Sequence, residues 1–287
     1  MSLQSIKDIL KSEKLAPSKK RGQNFLIHRQ TAATIVALSG VTADDTVVEL
    51  GVGLGTLTGP LAEKVSHVIG LEIDSGIIDW QQTSGNLADN VTLMHQDLLK
   101  ADFPDLAKQC GGRLKILANL PYSISNPLLF KLLDNQEVME WAVLMLQKEV
   151  AMRLIAVPGT KEYGIISVLL AGAATVTQLL NVGPGQFHPR PKVDSVVVKI
   201  TFHPTPERAV LLPAHDPELL RKLVRSAFQQ RRKTLLNSLS ASPFITFAKE
   251  TCRAALLAAK IDPTTRAERL TIEDFVALTQ ELAKVAQ

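Results

Sequence analysis

The sequence predicts an α/β protein, a doubly wound and mostly parallel seven-stranded sheet followed by a small C-terminal all-helical domain. Three observations carry this. From residue 46 onward, short β-branched or aliphatic runs alternate with longer stretches of helical apolar spacing, the pattern of a parallel sheet covered on both faces. After Phe202 the breaker-rich His203-Pro204-Thr205-Pro206 interrupts that alternation, and no strand pattern follows it. A chain of 287 residues that is 46% hydrophobic and 21% charged can bury one large and one small core, and it lies far from the composition of disorder.

Taken in order, the strands are expected at Thr46 to Leu50, His67 to Ile73, Val91 to Gln96, Leu114 to Asn119, Trp141 to Gln147, Ser167 to Val176 and Ser195 to Phe202. Helices fit between them at Leu57 to Val65, Ser75 to Gln82, Pro104 to Cys110, Pro127 to Leu133 and Lys148 to Ile155. Pro127 suits a first helical turn, with Asn126 as its cap. Beyond the break, helical spacing marks Leu219 to Phe228, Arg231 to Ser238, Phe244 to Leu257 and Ile272 to Val285. The domains are then a basic arm over 1–30, an α/β domain over 31–206 and a helical domain over 207–287.

Charge sharpens this division. Residues 1–30 hold 7 basic and 2 acidic side chains, residues 31–206 hold 12 and 17, and residues 207–287 hold 13 and 9. An acidic body between basic ends suits contact with a polyanion, Lys19-Lys20-Arg21 and Arg231-Arg232-Lys233 being the sharpest clusters. No apolar run approaches the roughly 18 to 20 residues of a membrane span, and the start of the chain is charged (Lys7, Asp8, Lys11, Glu13, Lys14). A soluble, cytoplasmic protein without membrane contact is expected. Cys110 and Cys252 form no Cys-x-x-Cys, and the histidines lack ligand spacing, so no metal is expected.

Val47 to Thr58 reads as a strand, a glycine-rich turn and a helix, with Gly51, Gly53 and Gly55 allowing a ligand to approach the main chain, a Rossmann-like arrangement. Glu72 ends the next strand 21 residues beyond Gly51, near the offset of about 20 at which a carboxylate reaches a ribose hydroxyl. Asp97 ends the third strand, where it can accept from an adenine amine. The spacing Gly-x-Gly-x-Gly behind Glu49 favours S-adenosylmethionine over NAD, whose fingerprint is Gly-x-Gly-x-x-Gly.

The fourth strand ends in Asn119-Leu120-Pro121-Tyr122. An exocyclic adenine amine is a poor nucleophile because its lone pair is delocalised into the ring. An acceptor pair, the Asn119 side-chain oxygen and a carbonyl at Leu120 or Pro121, would hold both N–H groups and favour a pyramidal nitrogen. Pro121 stiffens the turn, and Tyr122 offers a flat face to an unstacked base. No general base is required, since the sulfonium leaves as a neutral thioether; His188 is assigned no role.

These residues resemble the KsgA-type small-subunit ribosomal RNA adenine dimethyltransferases, related to the Dim and Erm enzymes, along nearly the whole chain. The resemblance rests on Gly22 to Leu26, Glu49 to Gly55, Asn119 to Tyr122, Leu146 to Val150, Phe187 to Ser195 and Phe228 to Thr234. Val52 departs from the proline common between these glycines, and His188 and Arg190 fill variable slots. The resemblance implies donor contacts at Asn24, Leu26, Gly51, Glu72, Asp97 and Asn119, with the glycine loop adding Gly53, and a target amine held at Asn119 and Pro121. It further implies Phe187 as a second wall of the base slot opposite Tyr122, and Arg231, Arg232 and Lys233 on rRNA phosphates. S-adenosylmethionine would yield S-adenosylhomocysteine, and the substrate would be two neighbouring adenosines near the 3′ end of 16S rRNA within an immature 30S subunit, with a role in ribosome biogenesis. A monomer is expected. An Erm-like enzyme of 23S rRNA, a non-catalytic assembly factor and an NAD oxidoreductase are the competing readings.

Overall fold

The computed structural model describes residues 8–10, 12, 23–85, 87–204, 211–230 and 232–286. Lys19, Lys20, Arg21, Gly22, Thr205, Pro206 and Arg231, which the sequence reading singled out, lie outside them. By packing the chain divides into two units, Met1–Ala151 with Val176–Phe202 and Met152–Thr175 with His203–Gln287.

The first unit carries a seven-stranded sheet in the order β4-β3-β2-β5-β6-β9-β7. Its strands are β2 (Thr46–Leu50), β3 (His67–Glu72), β4 (Val91–His95), β5 (Leu114–Asn119), β6 (Met139–Gln147), β7 (Ala174–Val182) and β9 (Ser195–Phe202). From β4 through β6 every neighbouring pair is parallel, and β9 returns antiparallel to β6. Central strands buried on both faces need continuous apolar runs, and Val47, Val48, Leu50, Ile116, Leu117 and Ala118 are all buried.

The chain runs from β2 outward to β3 and β4, then crosses back to β5 on the other flank of β2. Ligands of open α/β sheets bind outside the carboxyl ends at such a reversal. Leu50 pairs with Ala118, so the next residues, Gly51 just past β2 and Asn119 at the end of β5, stand side by side at the carboxyl edge.

A short strand β1 (Phe25–Leu26) pairs antiparallel with β8 (Phe187–His188), so this part of the expected basic arm is woven into the unit. Helix α1 (Arg29–Ser39), which the sequence reading did not identify, buries Ala32, Ile35 and Val36 at helical spacing and stops at Gly40 with φ +78°.

Three expectations need correction. The run Ser167 to Val176 is not a strand: α7 spans Ile165–Ala171 and the strand begins at Ala174. The Ser167 hydroxyl accepts from the Gly164 amide and donates to the Arg153 carbonyl, closing a helical turn that the aliphatic composition conceals. The boundary expected at 206/207 also moves, because residues 152–175 belong with the helical unit; Val168 is fully buried in a cluster with Leu223, Val224, Phe275 and Leu282. Asn126 is no cap, since a 3₁₀ turn over Tyr122–Ile124 runs straight into helix α5 (Ser125–Asp134) and Asn126 lies inside it.

Among its described residues, the second unit packs α7 with α8 (Pro217–Phe228), α9 (Leu235–Ser240), α10 (Lys249–Ala258) and α11 (Ile272–Ala286). Asp216 caps α8 by accepting from the Glu218 and Leu219 amides. Thr234 caps α9, so that helix starts later than the expected Arg231 and leaves Arg232 and Lys233 on the preceding turn. Likewise α10 starts at Lys249 rather than Phe244.

Candidate active site at the carboxyl edge of the sheet

A cavity of about 290 Å³ opens at the reversal. Its walls come from β1, the turns after β2, β3 and β4, and the turn after β5. The turn after β2 holds Gly51, Gly53 and Gly55 at φ +82°, +53° and +75°, conformations that side chains disfavour. Space is limiting as well, because a Cβ at Gly53 would come within 3.3 Å of the Phe25 ring.

The loop is held from two sides. Gln81, buried on helix α3 (Ser75–Thr83), donates to the Gly53 carbonyl at 2.9 Å, while the Gly53 amide donates to Glu72 Oε2 at 3.0 Å. Glu72 Oε1 accepts from the amides of Ile73 and Asp74 at 2.8 and 2.9 Å. Three N–H groups thus hold one carboxylate at the cavity, and its remaining lone pairs can accept from a donor on a ligand.

Beside it stands a second, less satisfied carboxyl. Glu49 on β2 is 1% exposed and lines the cavity, and among the described residues its Oε2 has no partner within normal hydrogen-bond geometry, the buried Thr58 side chain being its nearest polar neighbour. Burial, together with the charge of Glu72, pushes the Glu49 pKa up to about 8 against a lowering by Thr58. With acidic side chains and no cation among its described lining residues, the cavity suits a ligand carrying hydroxyl or amine donors. On the two flanks of these carboxyls, Asp97 Oδ1 after β4 accepts from the Leu99 amide at 2.9 Å, and the Asn119 carboxamide nitrogen at the end of β5 donates to the Asn24 carbonyl at 3.4 Å.

Residues 16–284 match the family described as ribosomal RNA adenine dimethylase. The chain belongs to that family. As a ribosomal RNA adenine dimethylase it is 51% identical over 277 residues to the ribosomal RNA small subunit methyltransferase A of Desulfotalea psychrophila, a match covering 94% of this chain and 92% of the relative. Among solved structures, a dimethyladenosine transferase from Plasmodium falciparum is similar with TM-score 0.74 and 28% identity, covering 91% of this chain and 98% of that one. The 23S rRNA methyltransferase ErmE is similar with TM-score 0.63 and 25% identity, over 91% of this chain and all of that one. The protein is an rRNA adenine dimethylase with a Rossmann-like sheet and a C-terminal helical region, and its chemistry is methyl transfer.

Within this dimethylase, Asn24, Leu26, Gly51, Gly53, Glu72, Asp97, Asn119 and Pro121 all line the one cavity. Leu120 is 2% exposed and not part of its wall, and the Pro121 carbonyl already accepts from the Ile124 amide at 3.1 Å. Tyr122 lies outside the wall too, half-buried, its hydroxyl 2.8 Å from Ser195 Oγ.

Phe187 is 3% exposed, packed in the apolar cluster with Leu26, Val143 and Val197, its backbone paired with Leu26, and like Tyr122 it does not line the cavity. Arg232 and Lys233 are exposed on their turn in the helical unit. The sequence reading missed the apolar lining, notably Ile73, Leu54 and Leu98. The signal was adjacency: Ile73 and Leu98 directly follow Glu72 and Asp97, and Ile73 stays 45% exposed, an apolar side chain left for a ligand.

Among the described residues, no group of three or more His, Cys, Asp or Glu side chains is placed to hold a metal, and no helix is long and apolar enough to cross a membrane.

Proposed function

We propose that this dimethylase binds S-adenosylmethionine in the cavity and dimethylates N6 of two adjacent adenosines near the 3′ end of 16S rRNA, within an immature small subunit in the cytoplasm. The observation that carries the reading is the emergence of Asn119 beside the glycine loop, in the same cavity as Glu72 and Asp97. The 51% identity to a small-subunit methyltransferase favours this substrate over 23S rRNA.

The residues present fit the donor. Positive-φ glycines leave room for a ligand against the main chain, and the acceptor-only carboxylates suit its hydroxyls, amines and positive charge. S-adenosylmethionine supplies a methyl group made electrophilic by its sulfonium. Glu72 would accept from ribose hydroxyls, Asp97 from the adenine amine of the donor, and Ile73 would pack on that ring.

Toward the substrate, Asn119 commits its nitrogen to the Asn24 carbonyl, which orients its oxygen as an acceptor for the target amine. With the Pro121 carbonyl engaged by Ile124, the Leu120 carbonyl is the better second acceptor. Two acceptors hold both N–H bonds, localise the nitrogen lone pair and aim it at the methyl carbon, and the proton departs after transfer. Tyr122 stacks on the extruded base, and Arg232 and Lys233 contact phosphates.

The test is labelled donor with 30S particles lacking the modification, followed by mapping of the label. Wild type should place four methyl groups on two adenosines, and Asn119→Ala should lower the rate by roughly 100- to 1,000-fold with the thermal midpoint little changed. Label on 23S rRNA alone, or wild-type rates from Asn119→Ala, would overturn the assignment.

A further inference from the structure

The sequence reading gave Tyr122 a face and left its hydroxyl unexplained. In the structure that hydroxyl meets Ser195 Oγ at 2.8 Å. Ser195 opens β9, is fully buried and sits opposite Gln147 of β6, while the adjacent Asp194 carbonyl accepts from the Lys148 amide at 2.9 Å. It is therefore fixed by the sheet itself. A hydroxyl buried beneath a Val-Val-Val run costs stability unless it is bonded, and the Tyr122 hydroxyl supplies the bond.

Tyr122 has the opposite character. It begins a three-residue 3₁₀ turn outside the cavity wall, with Pro121, Ser123 and Ile124 lining that wall around it. A ring on such a turn rotates about two side-chain torsions, and a bond at its far end removes that freedom.

We propose that Ser195 is a positioning residue, which by holding the Tyr122 hydroxyl fixes the plane of the ring on which the target adenine stacks and so sets the approach of the amine to Asn119. This deepens the reading of the reaction given above and rests on it. The ring then arrives pre-oriented, and the ordering cost is met in folding rather than at capture of the base. The phenol takes no part in proton transfer; burial raises its pKa, opposed by the bond to Ser195.

The experiment compares the full chain with Ser195→Ala, Ser195→Thr, Tyr122→Phe and the Ser195→Ala/Tyr122→Phe pair on particles lacking the modification. Loss of one neutral hydrogen bond should lower kcat by roughly tenfold in each single variant. The double variant should be no worse than either single, since both remove the same bond. Donor affinity should stay constant, and Ser195→Thr, which keeps a hydroxyl, should recover most of the rate. Wild-type kcat in Ser195→Ala, or losses that multiply in the double variant, would overturn the proposal. A second readout needs no RNA. The chain has two tyrosines, Tyr122 and Tyr163, so ring-labelled tyrosine gives two sets of resonances. Ser195→Ala should shift the Tyr122 set alone. Unchanged Tyr122 resonances would remove the pair itself, whereas absence of transfer by wild type would sink the reading of the reaction.

Discussion

The carboxyl edge of the sheet and the turn before α9 both carry ionisable side chains, but in opposite settings. Glu49 and Glu72 are 1% and 6% exposed and sit where backbone amides and a low-dielectric wall set their properties. Arg232 and Lys233 stand in solvent on a turn whose local bonds serve the helix behind it. Buried charge acts at hydrogen-bond range and is barely screened; exposed charge acts through water and weakens with salt. Under the function proposed above, the first region chooses a ligand and the second attracts one, and each can be broken without the other.

The largest effect on binding should follow from removing the carboxylate held at the cavity. Glu72→Ala deletes an acceptor for the donor and also releases the amides of Gly53, Ile73 and Asp74. Titration calorimetry with S-adenosylmethionine should show a loss of about 100-fold or more, as for a charge-assisted hydrogen bond plus a disordered loop. Particle binding should hold. An affinity within threefold of wild type would mean that the donor does not occupy this cavity.

How far each region could be read from sequence follows from the same contrast. β2, β5 and β9 were legible residue for residue because two-sided burial imposes unbroken apolar runs bounded by turns. β7 is an edge strand whose Thr175, Gln178 and Leu179 are largely exposed or only half-buried, so it lacks that run, and the aliphatic α7 just before it imitated one. Gly51, Glu72, Asp97 and Asn119 were legible as a group because the ends of neighbouring parallel strands meet in space. The burial of Phe187 and the Tyr122–Ser195 bond went unseen because both depend on which distant segment pairs with which, β8 with β1 and β9 with β6. The missing partner of Glu49 is likewise a property of the packed state alone.

That missing partner yields the second prediction, visible in stability rather than in binding. Glu49 titrates near 8 when folded, against an ordinary value of 4.5. Between those values the folded chain binds the extra proton, so stability falls as pH rises from about 4.5 to about 8, and the full penalty remains above that. Glu49→Gln cannot lose a proton and lacks this slope. Unfolding free energies of the two proteins, from denaturant melts at pH 5 and pH 8.5, should therefore diverge in favour of the variant with rising pH, by on the order of 4 kcal/mol. Any fixed cost of the amide cancels in that comparison. Parallel curves would show that Glu49 is already ionised in the folded chain, and the cavity would then hold two negative charges rather than one.

The smallest effect belongs to the exposed turn. A side chain that touches a phosphate releases about one counterion, so Arg232→Ala and Lys233→Ala should each weaken particle binding by roughly three- to tenfold near 0.1 M salt and flatten the log–log salt dependence by about one. Each change should leave calorimetric donor affinity untouched, because no part of the donor cavity is built from the turn. Filter binding of particles across a salt series separates the two possible roles of these cations. A reduced slope with an intact donor site assigns them to phosphate contact. An unchanged slope assigns them to solvation of the helical unit, and attraction of the RNA would then have to come from other cations in the positive balance of residues 207–287.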